Sequence, residues 1–392
     1  MARCLELGPT TGFSMVDEND QLLAAITDLI PKLLMAMEAF EQLQRNMNPA
    51  ALNTLGEYIA PFEQALGASF EAFAKLPFPD DLKGYGETIS NSCTYCLRAM
   101  APFVKSDDDA EGTERMIESM KAMRAHCRAQ EFIYPLASVM SPVNQYFVEA
   151  GARGNADFLK QFMGLEFEPT ETKKHGIFSF SNERKERGGF SLYVPENLDL
   201  TKPASLVIAL HGGTGHGADF LWSWLREART RGFILMSATS QGDTWSLMDL
   251  YNDVDYLPLL RNIEHVRQEW LIDQEHIMLG GMSDGATYTM LAGLTEDAPF
   301  THLAPFSGVL HPEIPSSPKI LQAKHKPVYL VHGTEDWMFP IETAHMAKHE
   351  LETAGANLKY REIPGLPHSY ARFENPALIE WFNPNLTVPI HS

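Results

Sequence analysis

One pentapeptide of the chain has the composition of a sharp turn that presents a nucleophile. Gly281-Met-Ser-Asp-Gly285 follows an apolar run and precedes residues that can begin a helix, which is the strand-turn-helix context that an activated serine requires. Glycines at both ends permit a backbone approach so close that a Cβ atom would clash. Ser283 is therefore the candidate nucleophile. The backbone N–H of Asp284 is a candidate donor to the oxyanion that would form during attack on a carbonyl.

Three further loops carry groups that can complete this chemistry. His368 follows the last predicted strand and can act as general base and then acid. Asp336 follows the strand before it and can accept the Nδ1–H of that imidazole. Glu335 is the alternative acid, and we favour Asp336 because neighbours on an irregular loop rarely point the same way. An earlier glycine-rich loop offers the N–H of Gly213 as second oxyanion donor, with Thr214 as the next choice.

The elements that must position these loops follow residue 175. An opening hairpin precedes strands that alternate with helices, which predicts a mostly parallel sheet with helices on both faces. In such a sheet the loops after the strands share one rim. Strands are predicted at 176–181, 189–194, 205–210, 233–238, from 277 to the turn, 302–308, 327–332 and 358–363, and helices at 218–231, 253–269, 341–354 and 376–382.

The first part of the chain has a helical pattern. Apolar residues between Leu22 and Phe40 recur at steps of three and four, which predicts an amphipathic helix that Pro31 kinks or restarts. Further helices are predicted at 50–75, 87–104, 111–130 and 131–150, giving a bundle of four to six. We predict a helical domain over residues 1–168, a linker near 168–174, and an α/β domain over 169–392.

The order of serine, aspartate and histidine, each in a loop after a separate strand, resembles the α/β-hydrolase superfamily. Within it, residues 175 to about 385 are similar to polyhydroxybutyrate-depolymerase-like and phospholipase/carboxylesterase-type enzymes. The matching motifs are Leu210-His-Gly-Gly-Thr-Gly215, Ile272 to Gly285, His332-Gly-Thr-Glu-Asp-x-x-x-Pro340 and Pro367-His368. The resemblance implies an α/β-hydrolase fold, a Ser283–His368–Asp336 triad, and hydrolysis of carboxylic esters through an acyl-serine intermediate without a cofactor.

The sequence favours a neutral ester of small to medium size as substrate. Trp245 and Trp337 lie in or beside loops that follow the catalytic strands and, with Thr214, are candidate pocket residues. No cluster of Arg or Lys is recognisable near the triad loops, which is the reason for expecting a neutral substrate. Two alternatives stay open: a serine peptidase of prolyl-peptidase-like type, and a pseudoenzyme that binds a small ligand.

Charge and segment composition limit the other partners. With 51 acidic and 31 basic residues, the formal net charge is −20, which disfavours nucleic acid and anionic membranes because both bind a cationic face. Residues 22–40 include charged side chains and do not predict a membrane span. The amino terminus lacks the pattern of a secretory signal, and four cysteines give no disulfide framework. We therefore expect a cytoplasmic protein.

Two hypotheses concern the predicted helical domain. It either covers the mouth of the site as a lid or mediates homo-oligomerisation. Cys93, Cys96, His126 and Cys127 contain the donors of a Cys3His zinc site. However, adjacent residues on a helix point about 100° apart, and cysteines in such a pattern are more often buried small side chains. We expect no metal ion.

Overall fold

The computed structural model describes residues 13–104, 112–165, 174–248 and 252–390. A helical part precedes an α/β part, as predicted. Residues 1–12 and 166–173 lie outside the described ranges. The amino terminus, predicted to lack a secretory signal, and nearly all of the predicted linker therefore lie outside them too. The division into domains at residue 168 stays a prediction.

Four long helices form most of the first part. They are α1 (Phe13–Arg45), α2 (Leu52–Phe73), α3 (Lys83–Val104) and α4 (Gly112–Ile133). Pro31 lies inside α1, so the helix continues through it. The single helix predicted over 131–150 is wrong, because Pro135 and Pro142 each begin a new short element where a missing N–H costs nothing. These elements are a 3₁₀ turn (Tyr134–Ser138) and α5 (Ser141–Tyr146), followed by α6 (Ala156–Lys160).

The second part is built on one mostly parallel sheet. Its strands within the described ranges are β1 (Gly176–Phe180), β2 (Phe190–Val194), β3 (Ala204–Leu210), β4 (Ile234–Ala238), β5 (Ile272–Met282), β6 (His302–Phe306), β7 (Pro327–Gly333) and β8 (Asn357–Ile363). Their spatial order is β1-β2-β4-β3-β5-β6-β7-β8. β2 is antiparallel to β1 and β4, and the remaining pairs are parallel. This is the α/β-hydrolase fold, as predicted.

Helices connect the parallel strands. They are α7 (Gly217–Phe220), α8 (Leu225–Arg231), α9 (Tyr256–Glu269), α10 (Asp284–Gly293), α11 (Glu313–Ser316), α12 (Ile341–Thr353) and α13 (Asn375–Phe382). The predicted helix over 218–231 is interrupted by a 3₁₀ turn, Leu221–Ser223. Trp222 and Trp224 are both buried, and residues two apart on one α-helix would point about 200° apart. The interruption lets both indoles enter the core.

The two faces of the sheet are covered differently. Alternate side chains of β3 point to opposite faces: Val207 and Ala209 enter a core that also contains Phe40 of α1, whereas Leu206 and Ile208 enter a separate core. The amino-terminal helices thus share a continuous apolar core with one face of the sheet. That face positions the helices next to the loops at the catalytic rim.

Candidate active site

Ser283 lies in a sharp turn between β5 and α10. Its φ of 58° and ψ of −120° are in a region that L-residues rarely adopt. A Cβ atom at Gly281 would lie 2.4 Å from the carbonyl oxygen of Gly285, and one at Gly285 would lie 2.4 Å from that of Leu210. Both flanking positions therefore require glycine, and the turn is the predicted elbow.

A continuous chain of hydrogen bonds joins three of the residues predicted from the sequence. Nε2 of His368 lies 3.0 Å from Oγ of Ser283, and Nδ1 lies 2.8 and 3.0 Å from the two carboxylate oxygens of Asp336. All three side chains are buried, whereas Glu335, the rival acid, is exposed. This arrangement can move the serine proton onto the imidazole while the carboxylate stabilises the resulting imidazolium.

Asp336 is held by more than the imidazole. The backbone amides of Met338 and Phe339 donate to Oδ1 at 3.0 and 2.8 Å. Burial favours the neutral acid, but the hydrogen bond and charge of His368 together with these amides outweigh it and lower the pKa of Asp336. Behind it, burial lowers the pKa of His332, whose Nε2 lies 2.8 Å from the carbonyl oxygen of Phe339. The acid therefore stays ionised and fixed.

The glycine-rich loop, residues 211–215 and here called the oxyanion loop, lies against the elbow. A Cβ atom at Gly212 would lie 3.4 Å from Cβ of Ser283. The N–H of Thr214 donates to the carbonyl oxygen of Asp243 at 2.8 Å. The N–H groups of Gly213 and Asp284 make no hydrogen bond with another residue of the described ranges, so they are available to a ligand. A role for either N–H as oxyanion donor stays a prediction.

Trp245 and Trp337 occupy different positions. Trp245 is only 3% exposed, and its indole N–H donates to the carbonyl oxygen of His211 at 2.8 Å. It therefore supports the oxyanion loop from inside, and a role as pocket wall stays a prediction. Trp337 is 38% exposed and its ring centroid lies 6.1 Å from that of His368, so one face of this indole is open beside the imidazole.

His211 has a structural environment. Its Nδ1 lies 2.7 Å from the carbonyl oxygen of Gly212, and its Nε2 accepts the N–H of Ser240 at 3.2 Å. Burial lowers the pKa of His211 to about 3, which keeps the ring neutral. These contacts hold the imidazole against the backbone of the oxyanion loop.

Two arginines that the sequence reasoning missed hold the same loop from outside. Arg124 of α4 donates to the carbonyl oxygen of Thr214. Nη1 of Arg187, in the β1–β2 connection, donates to that of Gly215 at 3.0 Å. The expectation that no Arg or Lys cluster lies near the triad loops is therefore wrong, and so is the reason for expecting a neutral substrate. A signal was present, because Lys121, Arg124 and Arg128 are spaced to share one face of a predicted helix.

The helical part also contacts the loop that carries His368. The hydroxyl of Ser369 donates to the carbonyl oxygen of Arg45 at 3.3 Å. The Arg45 guanidinium lies 3.9 Å above the ring of Phe373. α1 and α4 therefore reach the candidate site from two sides.

Cys93, Cys96 and His126 are buried. Burial raises the pKa of Cys93 to about 12 and lowers that of His126 to about 4, and Nε2 of His126 lies 3.1 Å from the carbonyl oxygen of Met37. Among the described residues, no group of three or more His, Cys, Asp or Glu is placed to hold a metal ion. No helix in the described ranges has the length and apolar character that crossing a membrane requires.

Comparisons with known proteins give a consistent family. Residues 255–381 match the phospholipase/carboxylesterase family. An acyl-protein thioesterase 1 from Gibberella zeae is 28% identical over 194 residues, which are 42% of this chain and 83% of that protein. One from Neurospora crassa is 25% identical over 118 residues, 29% of this chain and 48% of that protein.

Solved structures with a similar chain trace include esterases. A thermostable esterase has a TM-score of 0.42 and 22% identity, over 53% of this chain and 61% of that one. An acetyl xylan esterase from Aspergillus awamori has a TM-score of 0.44 and 16% identity, over 53% and 99% of the two chains. The sheet, the elbow and the family match over residues 255–381 support an α/β-hydrolase of the phospholipase/carboxylesterase type and a carboxylic ester hydrolase.

Proposed function

We propose that this protein is a serine carboxylesterase that uses Ser283, His368 and Asp336 as a catalytic triad on small to medium esters. The observation that carries the proposal is the unbroken hydrogen-bond chain from the strained Ser283 through His368 to an ionised Asp336, with distances of 3.0 and 2.8 Å. A serine hydroxyl is a weak nucleophile until an adjacent base takes its proton. The sharp turn at Ser283 presents the hydroxyl to both the base and the substrate.

The mechanism follows from these contacts. Oγ of Ser283 attacks the ester carbonyl as its proton passes to Nε2 of His368, and the N–H groups of Gly213 and Asp284 stabilise the oxyanion. The imidazolium then protonates the leaving alcohol, which departs as the acyl-serine forms. Water, deprotonated by the same imidazole, attacks the acyl-serine and releases the acid. Asp336 stabilises the imidazolium in both halves.

A thioester is the second candidate substrate, because the relatives from Gibberella zeae and Neurospora crassa are named acyl-protein thioesterases. The same attack on an acyl carbon would release a thiol in place of an alcohol. p-Nitrophenyl butyrate, butyryl-thiocholine and an aminoacyl p-nitroanilide separate esterase, thioesterase and peptidase activity. Turnover of the anilide alone would replace the proposal by the peptidase alternative, and turnover of none would support the non-catalytic one.

The decisive test of the nucleophile compares two serines of equal burial at the same rim. Ser283 and Ser369 are each 7% exposed. We expect Ser283→Ala to lower kcat for p-nitrophenyl butyrate by roughly 10⁵-fold or more. Ser369→Ala, which loses only the hydrogen bond to α1, is expected to stay within about threefold of wild type. Equal activity of the two variants would refute Ser283 as nucleophile.

We further propose that the helical part limits access to the site as a lid. Support comes from the contacts of Arg45 with the loop after β8 and of Arg124 with the oxyanion loop. Removing residues 1–168 would uncover a shared core, so a point variant is the better test. If the helices act as a lid, Arg45→Ala changes kcat/KM for decanoyl esters more than for acetyl esters, and the oligomeric state in solution stays the same. A changed oligomeric state with an unchanged ester preference would favour the oligomerisation hypothesis instead.

A further inference from the structure

A cavity lined mainly by basic side chains lies against the oxyanion loop. Its volume is about 460 Å³, within the range that small-molecule sites occupy. We call it the arginine pocket, and its basic lining residues are Arg98, Lys121, Arg124, Arg128, Arg184 and Arg187. Among the described residues that line it, Asp219 is the single acid. Thr214 and Gly215 of the oxyanion loop complete the wall.

Four of these six basic residues form no direct ion pair within the described part of the chain. Arg184 pairs with Asp219 and Glu131, and Arg128 lies 3.3 Å from Glu131. In the described part of the chain, no carboxylate forms an ion pair with any of the other four basic residues. Like charges that face one cavity repel each other, and a bound anion relieves that repulsion. The contrast with the net charge of −20 makes the cluster a local feature of this cavity.

Two of the arginines are fixed before any ligand arrives. Arg187 donates to the carbonyl oxygen of Gly215 at 3.0 Å and to the backbone and hydroxyl oxygens of Ser240 at 3.1 and 2.6 Å. Arg124 donates to the carbonyl oxygen of Thr214. Burial lowers the pKa of Arg187, and Asp243 opposes that shift. Fixed guanidinium groups lose little freedom on binding an oxyanion.

The pocket is close enough to Ser283 to hold another part of the same substrate. Thr214 is two residues from Gly212, at which a Cβ atom would lie 3.4 Å from Cβ of Ser283. With about 3.8 Å between consecutive Cα atoms, the wall at Thr214 is within roughly 13 Å of Ser283. Arginine and lysine side chains shorten the remaining distance. A substrate that reaches both places needs a spacer of about six carbons between its ester carbonyl and its anion.

We infer that the arginine pocket binds a phosphate group carried by the ester that Ser283 attacks, an inference that rests on the proposed ester hydrolysis. Guanidinium forks match the geometry of phosphate oxygens, and four cations without a carboxylate partner favour a doubly charged phosphate over a single carboxylate. The phosphate takes no part in the chemistry. The acyl C–O bond breaks, water supplies the hydroxyl of the acid and the proton of the alcohol, and the phosphate stays attached to one product.

A binding experiment tests the pocket without any turnover. Arg98 and Lys121 are exposed and make no hydrogen bond with the oxyanion loop among the described residues, so R98Q/K121Q removes two pocket charges and leaves the catalytic rim intact. The control K75Q/K83Q removes two exposed charges elsewhere on the helical part. Calorimetry with inorganic pyrophosphate on the Ser283→Ala protein is expected to give a Kd that rises about tenfold to thirtyfold in R98Q/K121Q only. An equal Kd in both double variants would overturn the inference.

A kinetic experiment on the intact protein tests the substrate class. p-Nitrophenyl 6-phosphonohexanoate is compared with p-nitrophenyl hexanoate, and 6-phosphonohexyl acetate with hexyl acetate, which distinguishes a phosphate on the acyl side from one on the alcohol side. We expect wild type to prefer one phosphonate by about tenfold in kcat/KM, and R98Q/K121Q to lose that preference while cleaving the neutral esters at the wild-type rate. No preference in either pair overturns the inference and leaves the esterase proposal standing. Turnover of none of the four esters refutes the esterase proposal, and pyrophosphate binding then decides the pocket.

Discussion

Two carboxylates with little exposure to solvent, one buried and one partly buried, have opposite kinds of partner. Asp336 at the rim of the sheet receives an imidazole and two backbone amides. Glu41 of α1 receives the guanidinium of Arg226 at 2.7 Å and that of Arg372 at 3.2 Å, and the hydroxyl of Tyr146 at 2.9 Å. An imidazole can gain and lose a proton near neutral pH, whereas a guanidinium keeps its charge. The difference teaches that the partner decides whether an acid with little exposure moves protons or joins structural elements.

The largest effect on kcat is expected from a substitution of Asp336, the acid at the rim of the sheet. Asp336→Asn removes the negative charge. Because the Met338 and Phe339 amides hold Oδ1, it turns an NH2 donor toward Nδ1 of His368 and imposes the wrong tautomer, so kcat should fall by about 10⁴-fold with a small change in stability. Steady-state rates on p-nitrophenyl butyrate measure this effect. Glu335→Gln, the neighbouring exposed acid, should stay within about twofold. A larger loss in Glu335→Gln than in Asp336→Asn would reverse the assignment.

A substitution of Glu41 should lower stability more than it lowers activity. Glu41→Gln removes the carboxylate that pairs with Arg226 and Arg372 in a partly buried place, and we expect it to lower the free energy of unfolding by about 3–5 kcal/mol at pH 7. Urea titration measures the loss. Glu38→Gln, which breaks a more exposed pair with Arg153 on the same helix, should cost about 1 kcal/mol or less.

The stability that Glu41 contributes through its two arginine partners should depend on pH. Burial opposes ionisation of Glu41, but Arg226 and Arg372 outweigh it and lower the pKa of Glu41 from 4.5 to about 2. A lowered pKa contributes stability that is complete above the unfolded value and is lost as the pH falls from about 4.5 toward 2. The difference between wild type and Glu41→Gln should therefore shrink at pH 3. A difference that stays constant would contradict the ionic account.

A smaller effect is expected at the oxyanion loop. A Cβ atom at Gly213 would lie 2.7 Å from a carboxylate oxygen of Asp284, which Thr244 holds by a hydrogen bond of 2.6 Å. Gly213→Ala should displace the loop and lower kcat by about 10²-fold, while the urea midpoint changes little. Gly154→Ala, where an added Cβ meets nothing within 4 Å, serves as control and should retain wild-type kcat.

The smallest effect is expected at an acid that lacks a strong partner. Burial raises the pKa of Glu227 from 4.5 to about 7, so the folded state holds a proton that the unfolded state has released. Stability therefore falls as the pH rises from about 4.5 to 7, and the cost is complete above pH 7. Glu227→Gln should raise the free energy of unfolding by about 1–3 kcal/mol at pH 8 and by little at pH 4. Thermal unfolding at both pH values checks this.

The rim could be predicted from the sequence because its parts carry local signals. Ser283 and His368 are 85 residues apart, yet each follows a strand pattern and a glycine or proline turn. Glu41 and Arg226 are 185 residues apart, and neither has such a signal, since an acid on the polar face of an amphipathic helix resembles any solvated acid. The arginine pocket has a partial local signal in the helical spacing of Lys121, Arg124 and Arg128, but Arg124 and Arg187 meet only when α4 packs against the β1–β2 connection. The helix break at Pro135 has a local proline signal, whereas the break before Trp224 depends on tertiary packing that periodicity does not contain.

The core that α1 shares with the sheet has a consequence for biosynthesis. Ribosomes make the amino-terminal helices first, but the residues that cover their apolar side, such as Val207 of β3 and Met278 of β5, emerge much later. At roughly 5–20 residues per second, the nascent helices wait on the order of ten seconds or longer with that side uncovered. We expect nascent chains halted near residue 165 to bind chaperones that recognise exposed apolar surface. Chains halted beyond strand β6 should be released from those chaperones.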